Sequence, residues 1–310
     1  MHVFSGESIN SVYLSALKSF SANKRQVSDS RVGQVFDLGP AYFEFTNPRD
    51  QFLTLRNRNY NPYFAIIEAA WILNGDNNLD GLNKIIQGYN KYSDDGHSLN
   101  GAYGYRIRKY FGRDQMESVI RLLSTEQNSR RAVITLYSPD DLENNTSRDI
   151  PCNISICFKI RNKHLDMTVM NRSNDVFLGI PYNAFVFNII QRHIARELGL
   201  PLGVQRHFTD SLHLYERDFV RVDEILQTNS QDEIDSWRKA PTADYIFESI
   251  IEESQKISTH NIDQLESDAI RNILSNYWNL KNGGSKLDFI DKLPYDNFGI
   301  SSKLWAESKK

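Results

Sequence analysis

The chain has 310 residues, of which 40% are hydrophobic and 24% charged, and its formal net charge is −3. This composition supports a packed core and excludes wholesale disorder. The slightly negative charge argues against a dedicated nucleic-acid binder, so an anionic ligand must be held by a local cluster of arginines. The length suits one large domain or two modest ones.

The chain contains two cysteines, Cys152 and Cys157. Such low usage predicts a reducing compartment without a disulfide framework. No neighbouring Cys or His stands at the spacing of a zinc site, so we expect no metal. The first 20 residues lack the features of a signal peptide, and no window approaches the ~20 apolar residues of a membrane span. We therefore expect a soluble, cytoplasmic protein.

The first predicted element is a helix whose apolar residues, from Ile9 to Phe20, fit one face. Strand-like residues broken by prolines follow at 36–50. Residues 60–75 are apolar almost all round, which predicts a buried helix that ends at Gly75. Its single acid, Glu68, is a candidate site residue, because a buried carboxylate is costly unless it is paired or used. The alternative is a helix face that reaches solvent at this point.

The middle of the chain alternates between predicted strands and helices. A polar loop spans 93–108, a helix lies near 114–123, a strand covers 130–138, and a loop at 139–149 without an apolar anchor is predicted to be mobile. Two alternating segments, 153–161 and 164–172, are separated by Asn162-Lys163 and predict a hairpin. A helix is predicted at 184–199, with Gly199 at its end, and a strand-like run at 203–216.

From about residue 218 onward the pattern is mainly helical and charged, with isoleucines such as Ile246 and Ile270 as packing positions. Strands interleaved with helices, together with an antiparallel hairpin, predict an α/β protein of the α+β type. We expect a mixed β-sheet covered by helices, in a single domain of residues 1–310 with a helical C-terminal extension at about 218–310.

The two cysteines have different predicted roles. Cys157 lies between Ile156 and Phe158 and is typical of a core thiol. Cys152 follows Pro151 at the start of a strand, where a reactive group can meet a ligand. A single cysteine is more often structural than catalytic, so a nucleophilic role needs cations nearby that favour the thiolate.

Such cations are present in three polar segments. Arg130 and Arg131 open one predicted strand, Arg172 precedes Ser173 at the end of another, and Arg31 lies in a polar stretch. Arginines grip phosphate oxygens in pairs, and a serine adds a hydroxyl donor. The alternative for each is a solvated strand end.

Other polar residues match a nucleotide. The amide of Asn183 offers a donor beside an acceptor, as the edge of a pyrimidine requires; the alternative is the N-cap of the helix that follows. His213 and Tyr215 alternate on one strand face and suit sugar hydroxyls, although a half-buried strand face explains them equally.

With these residues in view, the chain resembles the thymidylate synthase family from about Arg31 to Tyr215. The matching motifs, in family order, are EAAWILNG with Glu68, NGAYGYRIR with Tyr103, SRR at 129–131, PC at 151–152, RSNDVFLGIPYN at 172–183, and HLY at 213–215. The motif at 172–183 is long and specific, whereas each of the others alone is weak.

The resemblance implies a role for each candidate. Cys152 would attack carbon 6 of a pyrimidine nucleoside monophosphate. Asn183 would bind the base and stabilise the enolate, Tyr103 would help to remove the carbon 5 proton, and Glu68 would organise water for proton transfer.

The remaining implied roles concern binding. Arg31, Arg172 and Ser173 would hold the phosphate, with Arg130 and Arg131 reaching it from the partner subunit of a homodimer. His213 and Tyr215 would hold the sugar, and Asp175 would orient the folate. The implied co-substrate is 5,10-methylenetetrahydrofolate.

Departures from the family pattern concern the fate of the transferred carbon. Asn153 stands where the family usually has His, and Asn171 where it usually has Gln. Tyr89 and Tyr92 are predicted folate contacts, because they lie in the segment that carries tryptophans in synthases. The given sequence ends in WAESKK after its helical extension, where synthases have a short apolar tail. A less apolar cover favours capture of the exocyclic methylene by water. We therefore expect hydroxymethylation, with thymidylate synthesis as the alternative and a non-catalytic nucleotide-binding relative as a second.

The identity of the base stays open at this stage. Deoxycytidylate hydroxymethylases usually have Asp at the position of Asn183, so Asn favours uracil, but an amide can turn to face cytosine. The candidates are dUMP, CMP and dCMP. The choice between ribose and deoxyribose is open as well.

Overall fold

The structure is a computed structural model that describes residues 1–22, 27–30, 33–144, 146–230, 232, 234, 237 and 239–309. Two β-sheets and a set of helices make up this part of the chain. Among its helices, none is both long enough and apolar enough to cross a bilayer.

The larger sheet has six strands in the order β1-β4-β9-β7-β6-β5. Its strands are β1 (His2–Gly6), β4 (Ala41–Phe45), β5 (Val133–Thr135), β6 (Asn153–Arg161), β7 (His164–Asn171) and β9 (Leu202–Thr209). The β1–β4 and β7–β9 pairs are parallel and the other three are antiparallel, so the sheet is mixed as predicted. The hairpin of β6 and β7 is confirmed, and both turn residues, Asn162 and Lys163, have positive φ, which matches the twist of a two-residue hairpin turn.

The smaller sheet has four short strands in the order β2-β3-β10-β8. They are β2 (Ser28–Ser30), β3 (Gly33–Asp37), β8 (Asn174–Asp175) and β10 (Leu212–Tyr215). In the register of β8 and β10, His213 stands opposite Asp175. This sheet therefore brings together two motifs that are far apart in sequence.

Helices cover one face of the larger sheet. The helices of the first two thirds of the chain are α1 (Ile9–Ala22), α2 (Pro62–Leu73), α3 (Asp80–Ile85), α4 (Tyr103–Tyr105), α5 (Gln115–Thr125), α6 (Asp140–Glu143) and α7 (Gly179–Glu197). A π-helix (Arg106–Tyr110) follows α4 directly. The predicted buried helix is confirmed: α2 is capped at Asn61, and Gly75 adopts a φ of +69° just beyond its end.

The C-terminal extension is helical and packs against α2. Its helices are α8 (Phe219–Thr228), α9 (Asp244–Ser258), α10 (Asp268–Lys281), α11 (Lys286–Asp291) and α12 (Asn297–Glu307). Tyr63 of α2 stacks on Tyr277 at 4.4 Å between ring centroids and also meets Phe298 and Trp305. One hydrophobic cluster includes residues from the sheet, from α2 and from these helices.

Several local predictions are wrong, and the reasons differ. The predicted strand at 130–138 is ordered as β5 over only three residues. The segment at 139–149 contains α6, and it is anchored by a buried ion pair of Asp141 rather than by an apolar side chain. The open face of the larger sheet leaves Cys157 half-buried, so it is not a core thiol.

Helix α7 begins at Gly179, five residues before the predicted start, because Gly and Pro are tolerated in the first turn of a helix. Asn183 therefore lies inside α7, and its predicted alternative role as an N-cap is wrong. The amide of Asn183 is not needed to begin the helix.

Candidate active site

The candidate nucleophile lies at the start of β6 beside a guanidinium group. Arg172 donates from its backbone N–H to the carbonyl of Cys152, and its Nη2 lies 3.8 Å from the Cys152 sulfur. Its side chain also donates to the carbonyls of Ile150 and Pro151. A cation held this close to the sulfur stabilises the thiolate. Cys152 is partly exposed and does not form a disulfide, so a ligand can reach it.

The residue after the nucleophile is a buried amide. Asn153 has no exposed surface, and neither its Oδ1 nor its Nδ2 has a partner in the described structure. In the β6–β7 register it stands opposite Asn171, whose Oδ1 also lacks a described partner. Buried amides left unpaired are costly. These two positions, which depart from the family pattern, therefore leave hydrogen-bonding capacity beside Cys152.

Three candidates form a continuous polar row, which we call the polar edge: Ser173 just before β8, and His213 and Tyr215 on the central strand β10 of the smaller sheet. The hydroxyl of Ser173 and Nδ1 of His213 lie 3.2 Å apart. The rings of His213 and Tyr215 meet edge to face at 5.3 Å. All three side chains are half-buried. Since Ser173 follows Arg172, this edge continues from the guanidinium beside Cys152 toward β10.

Asp175 and Asn183 flank the start of α7. The carboxylate of Asp175 accepts hydrogen bonds from the backbone N–H groups of Phe177 and Leu178, at 2.7 and 3.2 Å. Burial raises the pKa of Asp175. The Nδ2 of Asn183 donates to Oδ1 of Asn174 across 3.3 Å. This contact holds the amide of Asn183 and leaves its oxygen available to a ligand.

Glu68 projects from α2 toward the segment that carries Tyr89. The hydroxyl of Tyr89 donates to Oε1 of Glu68 at 3.4 Å, while Oε2 is buried without a partner among the described residues. The pKa of Glu68 is raised to about 8. Burial causes this rise, and the hydrogen bond from Tyr89 offsets part of it. A carboxyl group in this range can both accept and donate a proton near neutral pH.

Tyr103 is brought close to α2 by the glycine that follows it. A Cβ on Gly104 would lie 2.0 Å from the carbonyl oxygen of Ile72, so only glycine permits this approach of α4 to α2. Burial raises the pKa of Tyr103 well above its usual value, and the negative charges of Cys152 and Glu68 add to this effect. The phenol therefore lies within electrostatic range of both the nucleophile and the acid.

Aromatic rings line the path from the start of α2 to Glu68. Tyr60 stacks on Tyr182 at 4.9 Å, Tyr182 meets the edge of Phe64 at 5.1 Å, and Phe64 lies 5.8 Å from Tyr89. Tyr92 continues the row at 5.5 Å from Tyr89. We call these five residues the aromatic row. Flat apolar faces of this kind can stack against a planar ring system.

Three predicted phosphate ligands are not placed in this site. Arg130 and Arg131 are exposed ahead of β5, and Arg131 pairs with Glu126 at 2.6 Å. Arg31 lies outside the described residues. The structure therefore brings Cys152, Arg172 and Ser173 together and leaves Arg130 and Arg131 exposed to solvent within this chain.

Residues that the sequence analysis overlooked hold the site together. Arg106 is fully buried and forms a two-pronged pair with Asp141, at 2.6 and 2.7 Å. Asp149 accepts a hydrogen bond from the backbone of Gly101, just before Tyr103, at 2.6 Å. Both contacts join the Tyr103 segment to the chain that leads into Cys152. The sequence around Arg106, with Arg108 two residues later, contains no local pattern that would predict its pairing with Asp141.

Two other overlooked residues had a signal in the sequence. Phe64 stands four residues before Glu68 and so shares its helix face. Tyr182 directly precedes Asn183 within the motif at 172–183. Spacing along α2 and position in the motif could have identified both as site residues.

Comparison with known proteins shows the family of the chain. The sequence model of the family described as Thymidylate synthase matches residues 11–278. A deoxyuridylate hydroxymethyltransferase of Pseudomonas phage M6 is 35% identical over 61% of this chain and 54% of its own length. The enzymes of the same name from Bacillus phage SP01 and Delftia phage PhiW-14 are 33% and 30% identical, over 71% and 66% of this chain. The chain spans between 54% and 60% of the length of these curated relatives.

Proposed function

Because the chain belongs to the thymidylate synthase family, we propose that it transfers a one-carbon unit to carbon 5 of a pyrimidine nucleoside monophosphate and hydroxymethylates dUMP. The observation that carries the proposal is the arrangement of Cys152 beside Arg172, within electrostatic range of Tyr103. Three relatives named as deoxyuridylate hydroxymethyltransferases support the choice of base and product.

In this proposal the thiolate of Cys152 attacks carbon 6 of the base. Arg172 stabilises the thiolate, and its Nη1, for which the described structure shows no hydrogen bond, donates to the phosphate together with the hydroxyl of Ser173. Arg31 is a third proposed phosphate ligand. His213 and Tyr215 contact the sugar from the same edge, which is supported by the contact of His213 with Ser173 and of Tyr215 with His213.

The base is bound and activated from the other side. The oxygen and the remaining donor of the Asn183 amide pair with the uracil edge and stabilise the enolate that forms on attack at carbon 6. Tyr103 then helps to remove the proton from carbon 5. Glu68 organises the water through which protons move, which the raised pKa of its carboxyl group supports.

The aromatic row and Asp175 fit the folate co-substrate. Methylenetetrahydrofolate supplies the one-carbon unit when it is bound. Tyr89 and Tyr92 would contact it at one end of the aromatic row, and the carboxylate of Asp175 would orient it. A tyrosine hydroxyl in this cover, donating to Glu68, makes the site more polar than a purely apolar cover would.

The test is to incubate the protein with methylenetetrahydrofolate and each of dUMP, dCMP, UMP and CMP, and to weigh the nucleotide products. We expect dUMP to gain a hydroxymethyl group. A methyl group with release of dihydrofolate would instead establish a thymidylate synthase. Cys152→Ala should lower turnover by about 10⁴-fold or more, whereas Cys157→Ala serves as the thiol control and should retain activity. A protein that binds nucleotide but yields no product would be a non-catalytic relative.

We also propose that the protein acts as a homodimer through the open face of the larger sheet. This face carries apolar side chains that are only partly covered, and its helices lie on the other side. Its apolar members include Tyr42, Val133, Met170, Val204 and Phe208. Sheet faces of this kind are normally covered. Arg130 and Arg131, exposed ahead of β5, would then reach the phosphate in the partner's site.

Subunit mixing tests this arrangement. Cys152→Ala and the double variant Arg130→Ala/Arg131→Ala should each have little activity alone. A mixed dimer contains one site with an intact cysteine and intact arginines from the partner, so mixing should restore activity. If Arg130 and Arg131 contact the phosphate in the site of their own subunit, mixing the two variants should not restore activity.

We further propose that residues 1–310 form one domain, which the shared hydrophobic cluster of sheet, α2 and C-terminal helices supports. Neither of the two cysteines, both of which lie in the described part of the chain, forms a disulfide, and this suits the reducing cytoplasm in which we place the reaction.

A further inference from the structure

The contact between Tyr89 and Glu68 has a geometry that suits a bound water molecule. The two side chains come from different elements, α2 and a 3₁₀-helix (Tyr89–Tyr92), and their polar ends lie 3.4 Å apart. Oε2 of Glu68 is buried and has no partner in the described part of the chain. A buried oxygen without a partner is costly, and ordered water commonly supplies the missing hydrogen bond.

The segment that carries Tyr89 lies at the surface of the protein. Tyr89 is half-buried and Tyr92 is 46% exposed, so the 3₁₀-helix lies at the surface. The preceding Gly88 adopts a φ of +77° and is exposed. On its inner side the Tyr89 ring rests against Phe64. Tyr89 therefore joins a solvent-facing segment to the buried part of the aromatic row.

We propose that Tyr89 is a positioning residue for the water that captures the transferred carbon, and that Glu68 takes the proton of that water. This inference rests on the hydroxymethyl product proposed above. The Tyr89 hydroxyl donates to Oε1 of Glu68, so its oxygen can accept one hydrogen bond from the water while Oε2 accepts the other. The lone pairs of the water then face away from both protein groups.

The step balances without an oxidant or a reductant. The water oxygen forms a bond to the exocyclic methylene carbon, and the electron pair of that double bond moves through carbon 5 to give the enolate. The proton lost by the water goes to Oε2 of Glu68. The enolate then restores the double bond between carbons 5 and 6 and expels the Cys152 thiolate.

The titration of Glu68 is consistent with this step. Burial raises the pKa of Tyr60, Tyr89, Tyr103 and Tyr182, and the charge of Glu68 raises each further. Of Glu68 and these four tyrosines, only Glu68 has a pKa close to neutral pH, at about 8. Loss of the Tyr89 hydroxyl should raise it further, because the hydrogen bond favours the charged carboxylate.

The experiment separates removal of the carbon 5 hydrogen from capture by water. Wild type, Tyr89→Phe and Tyr295→Phe, which alters an 89% exposed ring far along the chain, are incubated with methylenetetrahydrofolate and dUMP tritiated at carbon 5. Tritium release and hydroxymethyl product are measured together, with and without added 2-mercaptoethanol. Circular dichroism checks that each variant is folded.

For Tyr89→Phe we expect tritium release within about threefold of wild type but at least a tenfold loss of hydroxymethyl product, which corresponds to about one hydrogen bond. The uncaptured methylene should appear as a thioether with the added thiol. Tyr295→Phe should match wild type. Equal losses of tritium release and product, or no loss of product, would overturn the role of Tyr89.

A second measurement needs no turnover. Infrared titration of the carboxyl band, assigned with Glu68→Gln, should show a higher pKa for Glu68 in Tyr89→Phe than in wild type. An unchanged pKa would overturn the inference even if the variant were inactive. If wild type forms a methyl product or none, the proposed function itself fails, and the wild-type arm shows this independently of any variant.

Discussion

The two sides of helix α2 face regions of opposite character. On one side Tyr63 packs against Tyr277, Phe298 and Trp305 of the C-terminal helices. On the other side Glu68 faces Tyr89 with a buried carboxyl oxygen that has no partner among the described residues. The first side stabilises the fold by burying aromatic surface. The second side costs stability, because it buries a carboxyl oxygen without a described partner, and in the proposed mechanism it provides the chemistry.

Arg106 is an exception to this division, because it lies on the active-site side but has a structural role. We expect Arg106→Met to lower the free energy of unfolding by about 4 kcal/mol, because Asp141 would remain buried without its partner. Urea denaturation followed by circular dichroism measures this. The double variant Arg106→Met/Asp141→Leu should be more stable than the single variant. A double variant that is no better would show that the guanidinium contacts with the Asn100 and Leu136 carbonyls dominate.

The aromatic side can be weakened without touching the chemistry. Phe298 is fully buried between Phe52 and Tyr63, and Phe298→Ala should lower the free energy of unfolding by about 3 kcal/mol. Turnover per folded molecule should stay within about twofold of wild type. Leu287→Ala is the matched control, since Leu287 is 73% exposed in the same extension. A large drop in turnover at full folding would mean that the two sides of α2 are coupled.

The buried carboxyl group of Glu68 should make the free energy of unfolding depend on pH. The folded protein keeps the proton on Glu68 up to a pKa of about 8, whereas the unfolded chain releases it near the ordinary value for Glu. Raising the pH between these values therefore favours unfolding, by up to about 1.4 kcal/mol per pH unit. Glu68→Gln should remove this slope while abolishing efficient turnover. Equal slopes in wild type and variant would contradict the raised pKa.

Much of the fold was predictable where a local rule decides it. The all-round apolar pattern of α2, the glycine at its end and the two-residue turn at Asn162 and Lys163 all followed from period and turn chemistry. The start of α7 did not, because Gly179 and Pro181 are typical of turns yet also fit the first turn of a helix. The half-buried state of Cys157 depends on an open sheet face, which no local pattern reveals.

The site was predictable as a set of residues rather than as a geometry. Cys152, Arg172 and Ser173 were singled out by residue type and family resemblance, and they lie side by side. The pair of Arg106 with Asp141 joins residues that are distant in sequence, so its partner could not be inferred. The hydrogen bond from Tyr89 to Glu68 likewise needed the three-dimensional arrangement, because Tyr89 had been assigned only to the folate side.

The packing of α2 has a consequence for how the protein is made. Translation completes α2 early, but the rings that cover Tyr63 belong to helices near the other end of the chain. Contacts between such distant segments form late and slow the search for the native state. Until α10 and α12 have been made, a nascent chain lacks the rings that cover Tyr63. We expect its yield in cells to depend on chaperones that shield α2 until α10 and α12 have left the ribosome.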